Sequence, residues 1–186
     1  MHIVIISGMS GAGKSLAIDA FEDMGYYCID NLPTPLIKDF ITLIKGDKNR
    51  LDKVALVIDI RGGDFLDDFV TYANALNKRG IDHKLIFLES SKNVLLKRYA
   101  ETRRQHPLAM GNKTNSEAID EEILRLAPIR EMSNFIVDTS DLKNTELALI
   151  LRDYIHEGGP EKQFRFIVQS FGYKYGMPAE ADFRSI

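Results

Sequence analysis

Near the amino end, Gly8-Met9-Ser10-Gly11-Ala12-Gly13-Lys14-Ser15 sets a glycine, four residues and then Gly-Lys-Ser in one run. That spacing suits phosphate chemistry. Several backbone N–H groups must converge on phosphate oxygens, and side chains at the glycine positions would obstruct the approach. A helix starting near Lys14 adds the positive end of its dipole. Lys14 then reaches the β- and γ-phosphates of a nucleoside triphosphate, and the Ser15 hydroxyl meets Mg²⁺. At ordinary residue frequencies, a chain of 186 residues matches this pattern by accident on the order of 1% of the time. Its place, between an aliphatic run and an amphipathic stretch, adds further force.

A second acidic position belongs with the first motif. Asp59 ends the aliphatic run Val54-Ala55-Leu56-Val57-Ile58, where a carboxylate can hold Mg²⁺ directly or through its waters; the plainer alternative is a turn residue. Asp59-Ile60-Arg61-Gly62 also has the Asp-x-x-Gly spacing of GTP-hydrolysing switches, in which the glycine N–H senses the γ-phosphate. Asn112-Lys113-Thr114-Asn115 approaches a guanine-reading element but ends in Asn instead of Asp and follows no strand, so it reads as a loop. The nucleotide could be ATP or GTP.

Asp30 follows a short strand and suits either a general base for an acceptor hydroxyl or a cap before Asn31 and Pro33. The basic run Lys97, Arg98, Arg103, Arg104 and His106 flanks a helix end. Arginines there could close over a transferring phosphate, with Arg103 and Arg104 as catalytic candidates beside Lys14 and Asp59. A solvated face or an RNA contact are the alternatives. His2, His83, His106 and His156 are scattered without ligand spacing, which argues against a protein-held zinc. Cys28 lies within a strand and reads as core. As the single cysteine it permits no internal disulfide and fits a reducing cytoplasm.

The elements that must position these residues alternate along the chain. His2–Ser7, Tyr26–Ile29, Val54–Ile60, Lys84–Leu88 and Phe135–Asp138 read as strands. Lys14–Met24, the stretch from Leu36 to Ile44, Phe65–Arg79, Lys92–Arg104, Glu117–Arg130 and Thr145–His156 read as helices, with Pro128 ending or kinking the fifth. Such alternation predicts an α/β fold with a doubly wound, mostly parallel sheet of the P-loop NTPase and kinase type. Ligands in such sheets sit beyond the carboxyl ends of the strands, where the glycine loop, Asp30 and Asp59 fall. With 45% apolar and 27% charged residues the chain can bury a full core. Its 24 basic and 27 acidic side chains leave a net charge of −3, which excludes attachment to nucleic acid by bulk positive charge. No apolar run approaches the ~18 residues of a membrane span, and the amino end does not read as a signal peptide. A boundary falls at Gly158-Gly159-Pro160, giving a nucleotide-binding domain over 1–158 and a linker with the start of another domain over 159–186.

In combination, several of these stretches resemble one family. Gly8 to Ser15 with Phe21-Glu22-Asp23-Met24-Gly25-Tyr26-Tyr27-Cys28-Ile29-Asp30-Asn31-Leu32-Pro33 is similar to the N-terminal part of the RapZ family, bacterial nucleotide-binding proteins that include the RNase adapter. Thr102-Arg103-Arg104-Gln105-His106-Pro107-Leu108, Ile136-Val137-Asp138-Thr139-Ser140 and Gln169-Ser170-Phe171-Gly172-Tyr173 match in order. The resemblance implies ATP and GTP binding with slow Mg²⁺-dependent hydrolysis in a regulatory role, with Gly8–Ser15 as the ATP stretch and Asp59–Gly62 as the GTP-associated stretch. RNA binding in the family resides in a C-terminal domain beyond the residues present. Without that domain, the aromatic-rich segment from Phe164 to Phe183 is left either unfolded or paired with a second copy. A small-molecule kinase, with Asp30 as base and the 98–106 arginine segment as lid, is the rival expectation.

Overall fold

Ile3, Val4, Ile5 and Ile6 are all buried, on successive residues that must point to opposite faces of a strand. Only a central strand covered on both sides can accommodate that, and β1 (His2–Gly8) is central. In the computed structural model, which describes residues 2–46, 51–59, 69, 73, 76 and 81–156, β1 is flanked by β3 (Lys53–Val57) and β4 (His83–Glu89). The edges are β2 (Tyr27–Ile29) and β5 (Phe135–Asp138), so the order is β2-β3-β1-β4-β5. Every pairing among these five strands is parallel, which sharpens the expectation of a mostly parallel sheet. Ile6 registers with Val57 and Gly8 with Leu88, so the ends of β1, β3 and β4 come level at one edge.

Helices connect the strands. α1 (Lys14–Asp23) buries Ala17, Ala20 and Phe21. It stops where Gly25, at φ +78°, lets Tyr26 N–H return to the Phe21 carbonyl and Gly25 N–H to that of Glu22. The Phe21 and Tyr26 rings meet edge to face at 5.0 Å and seal that turn. A 3₁₀ turn at Thr34–Leu36 leads into α2 (Ile37–Gly46), which buries Ile37, Ile41 and Ile44. Phe69, Ala73 and Leu76 are helical and buried at the spacing expected of the third helical stretch.

α3 (Lys92–Thr102), α4 (Asn115–Met132) and α5 (Asn144–His156) complete the described chain. The step from β1 to β2 and the step from β4 to β5 run in opposite directions along the sheet. Right-handed crossovers therefore wind the sheet on both faces. α1 packs on α5, while α3 packs on α4, which lies against β1 and β4.

Two boundaries of α4 differ from the sequence expectation. It begins at Asn115, two residues before Glu117, because Thr114 closes a capping box with Glu117, each side chain accepting from the other's backbone N–H. The stretch Asn112 to Asn115 is thus a helix entry. Nor does Pro128 end the helix. The carbonyl it leaves without a donor belongs to Leu124, which like Pro128 lies on the solvent face where water can replace the lost bond. The expected boundary at 158, the segment 159–186 and the Asp-x-x-Gly residues Ile60, Arg61 and Gly62 lie outside the described residues.

Gly8 fixes how tightly the chain leaves β1. At φ +144° its backbone passes so close to β4 that an added Cβ would stand 2.1 Å from the Leu88 carbonyl oxygen. At Gly13, φ +105°, an added Cβ would meet only the flexible end of Leu147, at 3.2 Å. Gly8→Ala should therefore lower stability by more than about 3 kcal/mol, and Gly13→Ala by about 1–2 kcal/mol of backbone strain. Urea denaturation of the two variants checks the ranking, and equal losses would contradict it.

Candidate functional site

After Gly8 the chain folds into a loop several of whose backbone groups bond to the protein around it. Met9 N–H donates to the Leu88 carbonyl at 2.9 Å, and Ala12 N–H to that of Met9 at 3.0 Å. Arg98, half-buried on α3, donates from Nη1 to the Gly11 carbonyl at 2.9 Å and from Nη2 to the Thr139 carbonyl at 2.6 Å. Thr139, buried just past β5, sets its hydroxyl 2.9 Å from the Ala12 carbonyl and 3.1 Å from that of Glu89. With one hydrogen, that hydroxyl serves one of the two at a time.

Ser10 makes the least expected contact. Its N–H lies 3.0 Å from both carboxylate oxygens of Glu122, a fully buried residue of α4. Glu122 Oε2 also accepts from His106 Nε2 at 2.9 Å, with neither side chain exposed. The Ser10 hydroxyl is buried and has no hydrogen-bond partner, the one such side-chain atom among the described residues. A buried polar atom without a partner costs about 1–3 kcal/mol.

Lys14 opens α1 and is buried. Its Nζ donates to the carbonyls of Gly8 at 2.7 Å and Met9 at 3.1 Å, and stands 3.8 Å from the Asp59 carboxylate. Asp59 is likewise buried, two residues past β3, where Ile58 N–H holds the chain to the Ile6 carbonyl. The structure thus brings Lys14 and Asp59 together at the carboxyl edge of adjacent strands. Gly13, left-handed, caps α1 without any side-chain bond, and no acidic residue stands in its first turn. The amides of a helix start so built favour an anionic group. Ser15 is exposed at that opening.

The other candidates lie further out. Arg103 takes a left-handed conformation (φ 53°) at the carboxyl end of α3, and its side chain and that of Arg104 are exposed. Asp30 is exposed just beyond β2. No group of three or more His, Cys, Asp or Glu that could hold a metal occurs among the described residues. A cavity of about 290 Å³ is lined by Met9, Phe87, Glu89, Leu126, Arg130 and Asp138, among others. It touches the loop through Met9 and lies between α4, the start of α3 and the carboxyl ends of β4 and β5.

Residues 1–158 match the family model described as the RapZ-like N-terminal domain. The chain belongs to the RapZ-like family. Over 98% of its length it is 46% identical to a nucleotide-binding protein of Caldanaerobacter subterraneus subsp. tengcongensis, and 45% identical to one of Clostridium kluyveri. The RapZ-like chain spans 63% and 62% of those two proteins, less than two thirds of either. Among solved structures it is similar to shikimate kinase from Bacteroides thetaiotaomicron, with a TM-score of 0.53 at 18% identity over 83% of this chain and 98% of that one. Shikimate kinase from Acinetobacter baumannii, in complex with shikimate, gives 0.54 at 15% over 84% and 93%. At such identities the likeness is one of fold, and the fold of this RapZ-like chain is P-loop kinase-like. No described helix is long and apolar enough to cross a membrane.

Cys28 takes no part in the loop. Burial, and then the Glu22 carboxylate, push its thiol from 9.0 up to about 11. At pH 8 the thiolate should be about a hundredfold scarcer than for a thiol titrating at 9.0. Because a thiolate of higher pKa is also the better nucleophile, iodoacetamide labelling followed by mass spectrometry should be slower than for a free cysteine peptide by about tenfold or more, and labelling at the peptide's rate would contradict the burial.

Proposed function

We propose that the chain binds a nucleoside triphosphate, ATP or GTP, at Gly8–Ser15 and hydrolyses it slowly in a regulatory role within a longer protein. One observation carries the reading. The outward polar groups of the loop are fixed by Glu122, Arg98 and Thr139, while the uncapped start of α1 opens beside Lys14 and Asp59. That is a preorganised nest for a polyanion. The unpartnered Ser10 hydroxyl adds a polar group of the loop itself for which a phosphate oxygen is a fitting partner. The names of the curated relatives, as nucleotide-binding proteins, agree with it.

A divalent cation fits as well. Mg²⁺ is held by one or two protein oxygens together with phosphates and water, and the Ser15 hydroxyl and Asp59 carboxylate supply oxygens of that kind. Bound there, the cation would neutralise phosphate charge. The chain's own residues do the rest: the amides orient the phosphates, Lys14 compensates their charge, and Asp59 keeps the ammonium in place. Arg103 and Arg104, exposed and three or two residues before buried His106, enter the proposal as the cations that would approach a bound phosphate from solvent. Ile60, Arg61 and Gly62 enter the same proposal as the GTP-associated stretch. RNA binding, self-association and a cytoplasmic location belong to the proposal for the longer protein.

Calorimetric titration with ATP, GTP and their non-hydrolysable analogues, with and without Mg²⁺, tests this directly. Lys14→Ala should raise the dissociation constant about 10- to 150-fold, the equivalent of one hydrogen bond to a charged group at ~1.5–3 kcal/mol. Undiminished affinity would count against the site. Asp59→Asn should spare binding more than Mg²⁺-dependent phosphate release, and equal release by variant and wild type would remove Asp59 from the metal's surroundings. A phosphorylated product formed only when an acceptor metabolite is present, together with its loss in Asp30→Asn, would favour the kinase reading instead.

A further inference from the structure

Glu122 stands in the apolar stripe Ala118, Ile119, Glu122, Leu126, Ile129 of α4, fully buried. A carboxylate there costs several kcal/mol unless its oxygens are satisfied. Three contacts satisfy it: the bifurcated Ser10 N–H at 3.0 Å to each oxygen, and His106 Nε2 at 2.9 Å. The proton on that imidazole can be placed. Leu108 N–H donates to His106 Nδ1 at 3.1 Å, so Nδ1 carries the lone pair and Nε2 the hydrogen. The histidine is thereby a neutral donor and Glu122 a pure acceptor. His106 is itself fixed, its own N–H donating to Asn115 Oδ1 at 2.9 Å and its ring packed against Tyr99 at 5.4 Å between centroids.

The Ser10 N–H is thus turned away from the nest by a charge. A loop amide has two competing acceptors, the ligand's oxygens and the protein's, and which one it faces sets the curvature of the loop. We propose that Glu122 and His106 are positioning residues of the phosphate loop. Their hydrogen-bonded pair pulls the Ser10 amide outward so that the loop is open before a ligand arrives. The same pair ties the loop's shape to the segment carrying Arg103 and Arg104. This rests on the phosphate-site reading above and adds two residues, from the 103–111 connection and from α4, that touch no ligand themselves.

The test needs three measurements on the 186-residue chain. In the wild type, ¹⁵N spectra should show His106 as the Nε2–H tautomer and the Ser10 amide proton shifted downfield by its charged acceptor. The opposite tautomer would overturn the proposal without any mutation. Glu122→Gln keeps an acceptor for Ser10 but turns an amide N–H₂ towards the His106 donor. It should return the Ser10 proton to an ordinary position and weaken binding of a non-hydrolysable ATP or GTP analogue about tenfold, the scale on which lost orienting partners act at ligand sites. His106→Leu should weaken it similarly, and His106→Gln, which can still donate to Glu122, should recover most of the loss at matched thermal stability. Equal affinity in all three variants would refute the positioning role. If the wild type binds neither analogue while both spectral signatures are present, the nucleotide reading fails and the buried pair is a packing device.

Discussion

A loop this sharp cannot pair all of its backbone groups with one another, so those it turns into the protein must find partners there. That constraint governs this molecule. A buried N–H or C=O left alone costs as much as a sizeable share of a domain's net stability, so the loop is only as open as its outward contacts are complete. Here they come from distant parts of the chain: Leu88 of β4 for Met9, Glu122 of α4 for Ser10, Arg98 of α3 for Gly11, and Thr139 beyond β5 for Ala12. The loop spans a few residues, yet its shape is fixed by the whole carboxyl edge of the sheet.

The sheet order explains why those partners are within reach. With β1 in the centre and β3 and β4 on either side, the loop leaves β1 between the tips of two neighbours. Asp59 arrives from one side and Leu88 from the other. β5, next to β4, delivers Thr139 as its first buried residue past the strand, and Thr139 N–H returns to the Glu89 carbonyl as though the pairing ran one step further. Gly8 is where this geometry is least forgiving, because parallel register sets it against Leu88 with no room for a side chain. The fold and the loop are thus a single constraint: a shift of register between β1 and β4 would move Gly8, Met9 and the carbonyl they close upon together.

What the sequence discloses of this arrangement follows the distance over which each feature acts. The glycine loop, the strand–helix alternation and the glycine stop of α1 are local patterns. Each is legible, although the Phe21–Tyr26 contact that seals the Gly25 turn shows only in the structure. Asp59 was legible from its place after an aliphatic run. Glu122 was not read, although it left a signal: an acid at a position where the 3.6-residue stripe of Ala118, Ile119, Leu126 and Ile129 demands an apolar side chain. Its partner Ser10 lies 112 residues away, and no spacing rule spans that gap. Arg98 was grouped with the exposed arginines because they share one basic run, but it ends on a loop carbonyl while Arg103 and Arg104 stay in solvent. Of the two readings of Pro128, an end or a kink, the end fails for the opposite reason. Its local rule is sound, but solvent exposure of Leu124 removes the penalty that the rule assumes, and the helix runs on to Met132.

The charges around the loop decide what kind of attraction it can exert. Glu122 and Asp59 place two buried carboxylates on it, while the Lys14 ammonium and the half-buried Arg98 guanidinium place two cations. These cancel, in a chain whose net charge is −3. A nest whose buried charges sum to zero holds its shape without a ligand, since no uncompensated charge strains it. On the proposed reading, a polyanion there meets directed amides, the dipole of α1 and the Lys14 ammonium, whose charge Asp59 already balances. Under the same proposal, further affinity for a triphosphate comes from cations the loop does not hold, such as exposed Arg103 and Arg104 and a divalent ion carried with the phosphates. Arginines within one short segment therefore differ in kind: Arg98 is spent on the Gly11 carbonyl of the loop, whereas Arg103 and Arg104 keep their charge in solvent.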